Sequence, residues 1–163
     1  AAKVLEEAQA NWPDDLEFLF LQGVIAEKRG AKEQALKIME QIVAKDPDHA
    51  DALNYIGYTL ADDNRDLARA EKLIAKALNL KPDNGFIQDS LAWVFYRQHR
   101  LDEAWDMIQK AVTNASDDPI IWEHYGDIAL AVNKRKEARV GYQKSLDLKP
   151  KSPEQIKTKL EKL

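Results

Sequence analysis

One pattern, about 34 residues long, comes round four times in this chain, and it restricts the fold more than any single residue does. Three stretches align: DPDHADALNYIGYTLA from 46, KPDNGFIQDSLAWVFY from 81 and SDDPIIWEHYGDIALA from 116. Each leads, after a short polar break, into a second apolar-periodic run: LARAEKLIAKALNLKP from 67, LDEAWDMIQKAV from 101 and RKEARVGYQKSLDLKP from 135. An earlier copy, LEFLFLQGVIAEKRGAKEQALKIMEQIVAKDP, starts at 16. Small residues set the register. Gly23, Gly57, Ala92 and Gly126 hold the eighth place of each unit, Ala35, Ala70, Ala104 and Ala138 the twentieth, and Ile42, Ala77, Ala111 and Ser145 the twenty-seventh. Pro47, Pro82 and Pro150 close three units, Ser116 stands where the third would close, and the second unit carries one extra residue between Asp63 and Asp66.

Within the first half of each unit the fourth, seventh, eighth and eleventh places recur at helical spacing, so they share one buried stripe. In the opening unit that stripe is Leu19, Gln22, Gly23 and Ala26, of which Gln22 is the polar exception. Small side chains at the eighth and twentieth places let two antiparallel helices approach where they cross. Gly30, His99 and Asn133 stand at the turn between the helices and are residue types that tolerate left-handed backbone. The Asp-Pro or Lys-Pro that follows stops the second helix, because proline lacks the amide proton and excludes helical geometry for its predecessor.

Composition agrees with amphipathic helices: 45% of residues are apolar and 32% charged. No run approaches the roughly 18 apolar residues of a membrane span. The first residues lack the layout of a signal peptide. There is no cysteine, hence no disulfide, thiolate nucleophile or thiolate metal site. The net charge of −4 is unevenly spread: residues 1–119 hold 14 basic and 22 acidic side chains, residues 120–163 hold 10 and 6.

These landmarks, four times in phase, resemble the tetratricopeptide repeat over essentially the whole chain. The wording ALNYIGYTLADDNRDLARAEKLIAKALNLKPDNGFIQDSLAWVFYR is similar to bacterial members of that family, many of them exported or lipid-anchored in the cell envelope. The resemblance implies an all-α fold: a right-handed superhelical solenoid of antiparallel helix pairs, with full repeats at 16–49, 50–84, 85–118 and 119–152. Residues 1–15 read as the second helix of a repeat entered midway, which puts the natural start further upstream. Residues 153–163 read as a capping helix, with Ser152 as N-cap, Pro153 in its first position and Gln155 completing a capping box. Ile156, Leu160 and Leu163 on one side would cover the last unit.

The aromatic stretch LAWVFYRQHRLDEAW at 91–105 divides in this register. Phe95 belongs to the core stripe, and Trp105 at the twenty-first place packs toward the next unit with Val112. Trp93 and Tyr96 lie on the neighbouring stripe, which in the family lines a concave groove for peptides or a partner's helix. That stripe also takes in Phe20, Phe86 and Ile120. Its candidate partner-binding residues are Asp51, Asn54, Tyr55, Tyr58, Asp62, Asp89, Trp93, Tyr96, Arg97, Glu123, His124 and Asp127. Aromatic rings give contact area at modest entropic cost, and Asn54 suits a ligand's backbone. Relatives that grip an acidic carboxyl tail carry Lys, Arg and Asn along this stripe. The carboxylates here disfavour such a tail and favour segments with Lys or Arg beside apolar anchors.

Other signals are weaker. DDNRDLARAE from 62 imitates a calcium loop, but its sixth place is Leu67 and its twelfth Leu73. His49, His99 and His124 show no ligand spacing, so neither a metal nor another cofactor is implied. Asn114-Ala115-Ser116 fits a short glycosylation pattern that arises often by chance. The basic NKRKEAR at 133–139 has no interleaved aromatic, which argues for a solvated edge or an acidic partner rather than nucleic acid. No nucleophile elbow, phosphate loop or zinc-protease helix occurs, so no catalytic residue is named. The expectation is a non-enzymatic module that binds a protein or peptide; the alternative is self-association through the array ends or the groove.

Overall fold

The computed structural model describes residues 15–163, which are helices and short turns. The expected helix at 1–15 lies outside the described residues, apart from Asp15. The helices are α1 (Leu16–Lys28), α2 (Lys32–Lys45), α3 (Ala50–Asp62), α4 (Leu67–Leu80), α5 (Gly85–Arg97), α6 (Leu101–Asn114), α7 (Pro119–Ala131), α8 (Arg135–Asp147) and α9 (Pro153–Glu161). Each helix packs on the next, and α3 also touches α5 as α5 touches α7, so helix pairs stack into an all-α array. None of the described helices is long and apolar enough to cross a membrane.

The crossings are made by size matching. Met39, Ile74, Ile108 and Tyr142 recur at the twenty-fourth place, all at most 1% exposed. A Cβ added to Gly23 would meet Met39 Cε at 2.5 Å, one on Gly57 would meet Ile74 Cγ1 at 2.5 Å, and one on Gly126 would meet the Tyr142 ring at 2.4 Å. Three of the pairs thus drop one large side chain onto a glycine of the facing helix. Ala35, Ala70, Ala104 and Ala138 are fully buried beside them. The same core takes in Leu53, Ile56, Ile87 and Ile121, each 1% exposed. Each buried side chain of this size contributes about 1.5–3 kcal/mol through area removed from water.

The turns follow from local chemistry. Gly30, His99 and Asn133 all have positive φ, between 61° and 77°. The extra residue of the second unit creates two left-handed positions, Asn64 and Asp66. It also places the Asp66 carboxylate on the Arg69 amide at 3.2 Å, so α4 has a side-chain cap where α2, α6 and α8 have none. Asp46 and Lys81, each before a proline, leave their helices at φ −127° and −135°. Lys149, before Pro150, instead turns left-handed at φ 58°.

α9 packs on α8 at the end of the described residues. Ile156 is 1% exposed and joins Ala129, Ala138 and Tyr142 in a small core flanked by Leu160 and Leu163. Lys159 reaches back to Glu123 and Asp127 of α7, both at 2.7 Å. The expected capping box does not form. Ser152 holds ψ at 67° rather than the 91° to 122° of Asp15, His49, Asn84 and Asp118, whose side chains do cap, and its hydroxyl bonds no amide. Pro153 at the helix start is as expected.

One close helix approach falls outside the repeating small positions. A Cβ on Gly141 would lie 2.8 Å from Gly126 N and 2.9 Å from Trp122 O, which are backbone atoms that cannot swing aside. Gly141→Ala is expected to lower stability by about 2 kcal/mol despite alanine's better helix propensity. Gly23→Ala meets the flexible end of Met39, with Ile38 Cγ2 at an ordinary 3.4 Å, and should stay within about 1 kcal/mol of the parent. Urea midpoints of the two variants check this ordering.

Candidate functional site

The first helix of every pair begins on a side-chain cap. Asp15 accepts from Phe18 N at 2.9 Å, His49 from Ala52 N at 3.2 Å, Asn84 from Phe86 N at 3.0 Å and Asp118 from Ile120 N at 2.8 Å. Caps at equivalent points bring the first turns of α3, α5 and α7 side by side. Between them lies a cleft of about 390 Å³. Asp51, Asn54, Tyr55 and Tyr58 line it from α3, Phe86 and Asp89 from α5, Ile120 from α7, and Phe20 from α1. Phe86 and Ile120 are 53% and 52% exposed, large apolar side chains held in water at the rim.

Asn54 sits in that lining with its Oδ1 buried and unbonded among the described residues. A buried polar atom without a partner costs about 1–3 kcal/mol. Neighbouring polar side chains are already committed, Asn84 and Asp118 to their helix caps and Ser90 Oγ to Phe86 O at 2.9 Å.

Beside the cleft the aromatic residues form a stack rather than a lining. Tyr96 lies 4.9 Å from Trp93, and Trp93 lies 4.1 Å from His124 with their planes 16° apart. Tyr58, 6.3 Å from His124, joins this stack to the cleft. His124 Nδ1 lies 2.9 Å from Asp89 Oδ1 with both side chains buried, which ties α7 to α5. Burial opposes charge on the imidazole, but Asp89, helped by the fields of Asp127 and Glu123, outweighs it and raises the pKa of His124 above its ordinary value. Protonated, the ring is both an ion-pair partner and a cation on the face of Trp93. The Arg97 guanidinium also lies 5.9 Å from the Trp93 ring.

The twelve residues expected to bind a partner are therefore distributed unequally. Asp51, Asn54, Tyr55, Tyr58 and Asp89 meet in the cleft. Trp93 and His124 are interior, and Tyr96 and Arg97 turn toward a separate hollow with Asn64 and His99. The carboxylates carry partners from elsewhere in the chain: Asp51 has Lys81 at 2.8 Å, Asp62 has Lys32 at 3.7 Å, and Glu123 and Asp127 share Lys159. Asp127 also accepts from the Tyr142 hydroxyl at 2.8 Å. Burial, then Asp62, Asp89, Glu123 and Asp118, raise the pKa of the Tyr58 hydroxyl. Phe86 and Ile120 are legible in the sequence as second-place residues of the stripe, but a preference for charged and hydrogen-bonding types passes over them.

Comparison with known proteins bears on this geometry. The sequence model of the tetratricopeptide repeat-like domain family matches residues 18–163. A TPR repeat-containing protein of Pseudomonas aeruginosa is 36% identical over 127 residues, which cover 78% of this chain and 21% of that protein. The peroxisomal targeting signal receptor of Candida albicans is 26% identical over 153 residues, covering 90% of this chain and 26% of the receptor. The chain thus spans about a fifth to a quarter of the length of these relatives. Among solved structures, a thermophilic TPR protein of Thermus thermophilus superimposes with a TM-score of 0.76 at 19% identity, covering 98% of this chain and 87% of that one. MamA of Desulfovibrio magneticus gives 0.69 at 18% identity, covering 90% and 82%.

The His124 pair predicts a pH dependence. A histidine whose folded pKa is raised stabilises fully below its unfolded value of about 6.5, and that stabilisation is lost as pH rises through the folded pKa. The melting temperature should fall over that window, and the fall should be absent in Asp89→Asn. Proton NMR titration of the His124 ring is expected to give a midpoint above that of free histidine; a midpoint at or below it refutes the assignment.

Proposed function

Since the chain belongs to the tetratricopeptide repeat-like family, we propose that it is a non-enzymatic interaction module whose cleft between α1, α3, α5 and α7 holds a segment of a partner protein. The observation that carries this reading is the coexistence, in one cleft, of an unbonded buried Asn54 amide oxygen and two half-exposed apolar side chains, Phe86 and Ile120. Protein surfaces rarely keep such groups together without an occupant, because the amide loses a hydrogen bond and the apolar area stays wet. A peptide backbone satisfies the first and apolar anchors dry the second.

The charge of the cleft defines the segment further. Asp51, Asp89 and Asp118 surround the apolar surface, and Tyr58 feels the summed negative field. The preferred segment carries Lys or Arg beside apolar residues. Because the carboxylates are already committed within the chain, their contribution is to selectivity and encounter rate more than to affinity. The family relationship supports protein partners in general; the peroxisomal targeting signal receptor is, by its name, a receptor for a targeting signal.

A peptide array tests this reading. Apolar segments flanked by Lys or Arg should bind better than the same segments flanked by Asp or Glu. The double variant Phe86→Ala/Ile120→Ala should weaken binding by about tenfold or more, as expected when central apolar anchors are lost. Its helical content should stay unchanged, since both side chains are exposed. Preference for acidic flanks, or undiminished binding by the variant, contradicts the proposal.

A further inference from the structure

A buried titratable ring lies next to the peptide cleft without lining it. His124 is 6% exposed, at the junction of the third and fourth pairs. Two residues connect it to the cleft. Asp89 lines the cleft and sets both carboxylate oxygens on His124 Nδ1, at 2.9 and 3.0 Å. Tyr58 also lines the cleft, and its ring centroid is 6.3 Å from that of the imidazole. An occupant that touches Asp89 or Tyr58 is therefore one side chain away from a group that can carry a proton.

Every neighbouring helix contributes to the field at this ring. From α5 come Asp89 and, across Trp93, Arg97; from α3 comes Tyr58; Glu123 and Asp127 belong to α7 itself. Tyr142 of α8 bonds Asp127, and Lys159 of α9 bonds Glu123 and Asp127. α6 also packs on α7 but gives His124 no bond or ring contact among the described residues. Burial raises the pKa of the Tyr58 and Tyr142 phenols, so both stay neutral. Burial also works against the charge of Lys159, but Asp127 and Glu123 outweigh it and keep the ammonium. Histidine is the residue type that changes charge near neutrality, and the midpoint of His124 lies above the ordinary 6.5.

We propose that the cleft and the buried imidazole are coupled through Asp89, so that a segment placing Lys or Arg in the cleft binds with release of the His124 proton and more tightly as pH rises. The coupling rests on the reading of the cleft as the seat of such a segment. Its sign follows from charge. While His124 is protonated, Asp89 is neutralised from inside, and an incoming cation meets a pair of zero net charge. Once the imidazole is neutral, the Asp89 carboxylate acts on the cleft uncompensated. By linkage, a bound cation must lower the pKa of His124 by the same free energy that proton loss adds to its binding.

The test uses two end-blocked peptides, an apolar segment flanked by Lys and the same segment flanked by Gln. Calorimetry in two buffers of different ionisation heat counts the protons exchanged on binding. The Lys-flanked peptide should release protons near the His124 midpoint and bind at least about threefold tighter well above that midpoint than well below it. That is the size expected for unit charges about 10 Å apart in a medium part protein and part water. In proton NMR titrations the bound Lys-flanked peptide should lower the His124 midpoint by about 0.5, the counterpart of a threefold gain, and the Gln-flanked peptide should leave it in place. His49→Asn keeps a capping residue and should retain the pH dependence, whereas His124→Gln should lose it. The NMR comparison needs no variant, so it decides the matter even where His124→Gln does not fold. Binding with an unmoved His124 midpoint and no proton release overturns the coupling and leaves the proposed function standing. A pH dependence that disappears in His49→Asn overturns it as well. Absence of binding at every pH refutes the reading of the cleft, and the coupling with it.

Discussion

The structure depends on how closely the two helices of a pair approach. At each crossing a residue with little or no side chain faces one large, buried side chain, and the separation of the helices is set by that fit. Tyr142 over Gly126 is the tightest case, with Gly141 pressed on the same backbone. Interiors pack at crystal-like density, so such contacts tolerate little expansion. Because the pairs approach through one face of each helix, the first turns of α3, α5 and α7 are left side by side, and the cleft is what remains between them. Its position follows from the crossings, and its chemistry follows from the residues that the crossings do not consume.

Electrostatics divides the molecule along its length. Through the first three pairs, carboxylates and cations are traded between neighbouring helices and turns: Glu40 with Arg69, Asp48 with Lys76, Asp51 with Lys81, Glu71 with Arg100. Each pair is solvent-accessible and individually adds little to stability. Together they offset part of the charge that the sequence places along these helices. At the last pair the exchange runs between α9 and α7. Lys159 returns to α7, but the outer cations of α8 have nothing to pair with among the described residues.

Burial changes the meaning of several side chains. Trp93, Asp89 and His124 have the residue types of a binding groove, yet they lie inside, where the indole, imidazole and carboxylate form a link between the third and fourth pairs. Asp89, with the fields of Asp127 and Glu123, raises the pKa of this buried imidazole against the cost of burial, so the link carries a titratable group that the apolar contacts between helices lack. Trp93 Nε1 has no bond among the described residues, a cost borne inside the same link.

Spacing and residue type were enough to establish the all-α array of helix pairs, the small residues of the crossings, the left-handed turns at Gly30, His99 and Asn133, and the burial of Phe95. These rest on interactions within one helix or between helices adjacent in the chain, where the period sets which residues meet. Packing settled what remained. It assigned Lys32, Lys81 and Lys159 to their carboxylates, opposed Gly141 to Gly126, left Ser152 without a capping bond, and chose Phe86 and Ile120 over Trp93 as exposed apolar surface. A helical period names the face on which a side chain lies but not what stands across from it. Exposure and ion pairing are properties of that opposite partner, and only the packed array supplies it.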